Sequence, residues 1–142
     1  MKIRMGFVSN SSSSSFCILG IKGRSDAIYN LMVAEGFPVD EGGRFLNSSQ
    51  IVDGRRIYDG YGFVSLVTPN GIYGGEKICK LSYYGTIYNK EPPMVAGFDA
   101  EEYLKDKSIT QAVQEFVKFC KGLGVDIPEK WVGLYFGESG SE

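Results

Sequence analysis

The sequence has no histidine, and this absence excludes several kinds of active site. Without an imidazole there is no Ser-His or Cys-His nucleophile pair, no histidine ligand for a metal ion and no histidine acid–base catalyst. An enzyme built from this chain would depend on carboxylates, lysine, tyrosine or an activated cysteine. The composition therefore favours a protein that is not an enzyme, and no catalytic residue stands out.

Cysteine is scarce, and the three cysteines, Cys17, Cys79 and Cys120, are far apart in the sequence. Because no Cys-x-x-Cys spacing is present, we predict neither a zinc site nor a redox motif, and no other cofactor is indicated. Each cysteine lies among apolar residues, which favours a buried thiol. An odd number of cysteines without a secretion signal fits a reducing, cytoplasmic location.

Long hydrophobic runs are also missing. No stretch approaches the roughly 18 apolar residues of a membrane-spanning helix, and serines interrupt the apolar residues after the basic start, which argues against a signal peptide. The formal net charge of −2 predicts binding neither to nucleic acid nor to anionic membranes. A length of 142 residues predicts one domain, residues 1–142.

The amino-terminal half contains signals for two strands and a helix. Alternating apolar residues predict a strand over residues 1–8, and residues 16–21 are apolar on both faces, which is typical of a central strand. Ser25 is predicted to cap a helix that Gly36 ends. Residues 38–56 are polar and are interpreted as a loop.

The middle of the chain has the pattern of an antiparallel meander, roughly residues 55–88. Gly and Asp pairs mark its turns. Its predicted parts, in chain order, are a turn at Asp53-Gly54, a strand at residues 55–58, a turn at Asp59-Gly60, a strand at residues 63–68 and an alternating segment at residues 76–84.

The carboxyl-terminal half begins with two helix starts. Asp99 with Glu102 resembles a capping box, and Phe98 is placed to pack on Tyr103. A second cap, Ser108 with Gln111, precedes the main helix, whose apolar residues keep helical spacing from Ile109 to Leu123. Gly122 and Gly124 are predicted to end it.

A last strand, residues 131–136, is apolar on both faces. These elements predict an α+β fold: a mostly antiparallel β-sheet with two principal helices packed on one face. We expect the strands that begin at Phe16 and Trp131 to be central, and one arrangement compatible with this places them side by side.

Five consecutive serines, Ser11, Ser12, Ser13, Ser14 and Ser15, precede the second strand. Their hydroxyls and backbone N–H groups, if curled, form a concavity that suits an anion. No lysine and no helix follow the run, so the phosphate-binding loop of nucleotide-binding proteins is not indicated. Three interpretations stay open: an ordered structural loop, a ligand or partner contact, and a solvated flexible segment.

The first sixteen residues, MKIRMGFVSNSSSSSF, resemble the start of a loose set of small phage and bacterial proteins. Members of the set share a GFVSNSSSSSF-like amino terminus and diverge after it. The resemblance implies a phage or bacterial origin, with phage preferred, and hence the cytoplasm of a host cell. It carries no established activity, so no functional residue is transferred from it.

Tyrosine is abundant in the meander, and its rings suit binding surfaces. The alternative is ordinary cross-strand packing. The tyrosines of this region are Tyr58, Tyr61, Tyr73, Tyr83, Tyr84 and Tyr88. Arg55 and Arg56, beside Tyr58, are candidates for contact with an anionic partner, although a solvated turn also explains them.

The leading hypothesis is a small, phage-encoded, non-enzymatic binding protein that engages a host protein or an anionic small molecule. The predicted contact residues are Ser11, Ser12, Ser13, Ser14, Ser15, Arg55, Arg56, Tyr58 and Tyr61. One alternative is a virion or assembly component. Another is a carboxylate- or metal-dependent enzyme that acts on a nucleotide or phosphoester. The sequence does not indicate an oligomeric state, and we expect neither a membrane nor a nucleic acid as partner.

Overall fold

A computed structural model describes residues 14–60, 62–69, 75–85, 87 and 92–139. The predicted first strand, Ser11 to Ser13, Tyr61, Tyr73 and Tyr88 lie outside these residues. The elements, in chain order, are β1 (Ser14–Lys22), α1 (Ser25–Ala34), β2 (Arg56–Gly60), β3 (Phe63–Val67), β4 (Ser82–Tyr84), β5 (Val95–Asp99), α2 (Ala100–Tyr103), α3 (Ile109–Gly122), a 3₁₀ turn (Glu129–Trp131) and β6 (Gly133–Ser139). The fold is α+β, as predicted.

The six strands form one antiparallel sheet in the order β2-β3-β4-β5-β1-β6. Residues paired across a ladder share a face of the sheet. The pairs Leu19 with Phe98, Tyr83 with Ala96 and Ile57 with Leu66 therefore lie on one face, and all six are buried. The two principal helices add their apolar sides to the same core, with Ile28, Leu31 and Met32 from α1 and Ala112, Phe116 and Cys120 from α3. Both helices thus cover one face, which confirms that prediction.

The opposite side of the sheet is called here the outer sheet face, and over β2 to β4 it carries Tyr58, Phe63, Ser65, Ser82 and Tyr84. Its residues alternate along each strand with those of the core. Because the helices lie on the other side, this face presents the meander's side chains away from the helical layer.

The strand that contains Phe16 lies between β5 and β6, so it is an interior strand, although it is fifth of the six described strands and not at the centre. The carboxyl-terminal strand does pair with β1, but it is last in the order of the described strands, so the prediction that it is central is wrong. Its start was also predicted two residues early. Trp131 belongs to the 3₁₀ turn, where its N–H donates to the carbonyl oxygen of Pro128 at 3.0 Å.

Most helix ends follow from local hydrogen bonds. The carboxylate of Asp99 accepts from the N–H of Glu101 at 3.0 Å, and the hydroxyl of Ser108 accepts from the N–H of Gln111 at 3.1 Å, so both predicted caps are confirmed. Phe98 stacks on Tyr103 with ring centroids 4.1 Å apart, as predicted. α1 begins at Ser25 with Arg24 at the cap and no side-chain cap bond, so Ser25 as cap is wrong.

Glycine ends both principal helices. Gly36 has φ +104°, which L side chains rarely adopt, and its N–H donates to the carbonyl oxygen of Val33 at 3.0 Å. Gly124 has φ +86° and its N–H donates to the carbonyl oxygen of Lys121 at 2.9 Å. These two ends were predicted from the sequence, and α3 itself runs to Gly122.

The meander is antiparallel as predicted, but its turns and strands differ in detail. Asp53 and Gly54, with φ 52° and 75°, form the predicted turn. Asp59 and Gly60 do not turn, because they continue β2, and Gly60 pairs with Phe63 across a two-residue connection. Of the predicted segment 76–84, only residues 82–84 form a strand, while Lys77 makes an isolated bridge to Val67.

β5 was not predicted, although it lies next to β1 near the middle of the sheet. Its sequence, VAGFD, is short and contains a glycine, which weakens the strand signal. Gly97 lies opposite Gly20 of β1, and a β-carbon on either glycine would overlap the other strand's backbone. The close approach of these two strands therefore depends on a pair of residues that are distant in the sequence.

Candidate binding site on the outer sheet face

Three aromatic side chains, Tyr58, Phe63 and Tyr84, cross neighbouring strands of the outer sheet face and are called the aromatic ladder. The ring centroids of Tyr58 and Phe63 are 5.4 Å apart, and those of Phe63 and Tyr84 are 6.1 Å apart. Both pairs are tilted, an arrangement that aromatic rings favour. All three side chains are half-buried, so part of each remains accessible. Cross-strand packing therefore buries part of the surface of each ring.

A small pocket of about 200 Å³ opens beside the ladder. It is called the sheet-face pocket, and its lining includes Phe63, Ser65, Lys77, Ser82 and Tyr84. Its volume is below the ~300–1,000 Å³ that is usual for drug-sized ligands, so it suits a small molecule. The pocket combines one ammonium group, two hydroxyl-bearing serines and two aromatic rings.

Lys77 supplies the positive charge of this pocket. It is exposed, and its Nζ donates to the hydroxyl of Ser82 at 3.1 Å. The bridge between Lys77 and Val67 fixes the backbone of this lysine beside β3. Among the described residues, no carboxylate forms an ion pair with Lys77, since the ion pair found there joins Lys107 to Glu115. The ammonium therefore keeps a charge that a ligand can use.

Tyr84, which lines the pocket, is held in its neutral form. Burial raises the pKa of Tyr84, and the negative charges of Asp99 and Glu101 raise it further. A neutral phenol adds no negative charge to the pocket, so it does not repel an anionic ligand. The donors that an anionic group requires come from the ammonium of Lys77 and the hydroxyl of Ser82.

The predicted arginine pair does not line this pocket. Arg56 is 9 % exposed and lies opposite Val67 in the sheet, so a solvated turn is the wrong interpretation for it. Arg55 is half-buried, and its Nη1 donates to the carbonyl oxygen of Gly36 at 3.5 Å. The positive charge of Arg55 at the carboxyl-terminal end of α1 also interacts favourably with the negative end of the helix dipole. These contacts give Arg55 a structural role.

The serine run is not brought to the pocket where the structure describes it. Ser14 and Ser15 begin β1, opposite Ser139 and Glu138 of β6, so the prediction that they are loop is wrong. The backbone of these two serines pairs with β6, whereas serines in a loop commonly form hydrogen bonds within turns. β5 separates β1 from β4, which carries Ser82. Tyr58, by contrast, belongs to the aromatic ladder beside the pocket.

Tyr83, a candidate for a binding surface from the sequence, instead faces the core and is 1 % exposed. Its hydroxyl donates to Oε1 of Glu35 at 2.7 Å. Burial raises the pKa of Tyr83 strongly, and the neighbouring charge of Glu35 raises it further. The change of face between Tyr83 and Tyr84 follows from their adjacent positions in one strand.

The sequence does not indicate a role for Glu35, because a glutamate at the carboxyl-terminal cap of a helix has no sequence signal of its own. Its carboxylate also accepts from the backbone N–H of Lys80 at 2.6 Å and of Leu81 at 3.3 Å. These bonds hold the irregular segment before β4 against the end of α1. Glu35 thereby fixes the part of the chain that lies between Lys77 and Ser82.

The chemistry of the cysteines agrees with buried thiols. Burial raises the pKa of Cys17 and of Cys79, and it raises the pKa of Cys120 to about 12. A thiol that stays protonated is a poor nucleophile and a poor metal ligand. Within the described ranges, no three cysteine, aspartate or glutamate side chains are grouped so that they could hold a metal ion.

No helix in the described part of the chain has both the length and the apolar composition needed to cross a bilayer. Comparison of the chain with protein-family models, with curated proteins and with solved structures finds no match.

Proposed function

We propose that this chain is a non-enzymatic binding protein that takes up a small anionic molecule in the sheet-face pocket. The observation that carries the proposal is the position of Lys77, whose ammonium group lies at Ser82 beside the rings of Phe63 and Tyr84. A carboxylate or phosphate can accept hydrogen bonds from the lysine and from a hydroxyl at the same time.

The aromatic walls indicate the body of the ligand. Phe63 and Tyr84 line the pocket and are half-buried, so part of each side chain is accessible. A flat ring packs well against aromatic side chains. The volume of about 200 Å³ suits a single small ring with its anionic group. Benzoate combines these two features and is the probe of the proposal.

Calorimetric titration of the full chain with benzoate tests the proposal, with inorganic phosphate as an anion that lacks a ring. We expect benzoate to bind, and Lys77→Gln to weaken binding about tenfold or more, since a hydrogen bond to a charged group contributes about 1.5–3 kcal/mol. Lys105→Gln is the matched control, because Lys105 is exposed and does not line the pocket. Equal affinity of the two variants for benzoate, or no binding by the wild type, would overturn the proposal.

A phage origin and a host protein as partner are further proposals, which do not depend on the sheet-face pocket. A phage-encoded chain that acts in the host cytoplasm is supported only by the resemblance of residues 1–16. A host protein as partner is supported by the same resemblance, and mass spectrometry of material captured from bacterial lysate by the tagged chain tests it.

A further inference from the structure

A second and larger depression lies on the helical side of the molecule, away from the outer sheet face. It has a volume of about 760 Å³, which lies within the range of ligand sites. It is called the lysine groove, and its lining includes Lys80, Lys107, Glu115, Lys118, Phe119 and Leu123. Three cations and one anion thus border a groove in a chain whose net charge is −2.

Glu115, the carboxylate among the described lining residues, is already neutralised. Glu115 accepts from Nζ of Lys107 at 2.8 Å, from Nε2 of Gln111 at 3.3 Å and from the hydroxyl of Tyr103. The hydrogen bonds from Lys107 and Tyr103 lower the pKa of Glu115 to about 2. Lys107 and Glu115 therefore cancel each other's charge at neutral pH.

Lys80 and Lys118 remain as uncompensated cations. Both are exposed, and in the part of the chain that the structure describes their ammonium groups have neither a hydrogen bond nor an ion pair. The carboxylate of Glu35 is near the backbone of Lys80, but its oxygens accept from two backbone N–H groups and from Tyr83. The groove consequently attracts negative charge at two places.

The apolar lining of the groove favours a side chain over a nucleotide base. One face of the Tyr103 ring is stacked on Phe98, with centroids 4.1 Å apart, and Nζ of Lys107 lies 4.1 Å from the centroid of the same ring. The Tyr103 ring therefore has no free face on which a base could stack. Phe119 and Leu123 are half-buried and offer an apolar surface of the kind that receives an anchor residue.

We propose that the lysine groove binds an acidic segment of a partner protein. The segment places one apolar side chain against Phe119 and Leu123 and directs flanking carboxylates toward Lys80 and Lys118. Charge complementarity selects the partner, and the apolar anchor fixes its position. This site is separate from the sheet-face pocket, because the helical layer and the outer sheet face are on opposite sides of the sheet.

Fluorescence anisotropy with a short labelled peptide, in which one phenylalanine is flanked by glutamates, tests the inference. We expect the full chain to bind the peptide, and the double variant Lys80→Gln/Lys118→Gln to weaken binding about tenfold, since two exposed charge pairs are lost and each contributes modestly. Replacing the peptide's phenylalanine by serine should also weaken binding, and raising the salt concentration should do the same.

The matched control is Lys105→Gln/Lys121→Gln, which removes the same charge from exposed lysines that do not line the groove. If both double variants lose affinity equally, the attraction is nonspecific and the inference is overturned. If inorganic phosphate displaces the peptide at equal concentration, the groove is a general anion site and the inference is again overturned. Lys77→Gln should leave peptide binding unchanged, so the failure of one site is distinguishable from the failure of the other.

Discussion

At the scale of single residues, Glu35 connects the end of α1 to the sheet. Its two oxygens accept from the N–H groups of Lys80 and Leu81 and from the hydroxyl of Tyr83. Glu35→Gln replaces one of the two acceptor oxygens by an NH2 group, so at least one of these three donors loses its partner. We expect the free energy of unfolding to fall by about 1–3 kcal/mol, measured by urea denaturation.

Two further variants separate this network from a general effect of charge. Glu41→Gln removes the same charge from an exposed loop and should change stability by less than about 0.5 kcal/mol. Tyr83→Phe removes one donor, and the double variant with Glu35→Gln should lose less than the sum of the two single losses. Additive losses would show that the Glu35 to Tyr83 hydrogen bond contributes nothing.

Glu115 gives a prediction about pH. The hydrogen bonds from Lys107 and Tyr103 lower its pKa from the usual 4.5 to about 2 in the folded chain. Its contribution to stability is therefore complete above about pH 4.5 and is lost as the pH falls to about 2. We expect Glu115→Gln to be less stable than the wild type at pH 6, and this difference to shrink between those two values. Urea denaturation at a series of pH values measures it, and a difference that is constant over the whole range would contradict the assignment.

At the scale of elements, the approach of β1 to β5 depends on Gly20 and Gly97. A β-carbon at Gly20 would overlap the carbonyl oxygen of Ala96. Gly20→Ala should therefore lower the free energy of unfolding by about 2 kcal/mol or more. Gly122→Ala is the matched control, since a β-carbon there meets nothing within 4 Å, and it should raise stability by about 0.5–1 kcal/mol. Equal effects in urea denaturation would show that the two strands do not lie this close.

Most helix ends could be predicted from the sequence, apart from the cap of α1, whereas β5 could not. A cap such as Ser108 bonds to a residue three positions away, so its pattern is contained in a few neighbouring residues. Gly97 is explained only by Gly20, and the apolar stretch around it is too short to indicate a strand. Phe98 and Asp99 carried a helix-start signal that was correct, but it did not show that both residues also end a strand.

The candidate sites also depend on contacts between distant residues, which the sequence does not indicate. Abundant tyrosine indicated the meander as a binding surface, and Tyr58 and Tyr84 do lie on the outer sheet face. Lys77 and Ser82 could not be predicted as neighbours, because the irregular chain between them depends on hydrogen bonds to Glu35. The lysine groove is assembled from three separate segments of the chain, so no local pattern indicates it.

At the scale of the whole molecule, the cysteines test whether the domain opens as a unit. Cys17, Cys79 and Cys120 lie in three different parts of the fold and are 4 %, 6 % and 0 % exposed. Because the thiols are this deeply buried, a disulfide reagent reaches them only when the chain opens, and burial also raises the pKa of each thiol. If one cooperative core holds all three, their labelling in native buffer should follow a single slow rate that increases as urea approaches the unfolding midpoint. Mass spectrometry of the labelled peptides over time measures each rate. A thiol that reacts much faster than the other two would identify an element that opens separately, and Cys17 in that role would show that β1 and β6 separate before the helices leave the sheet.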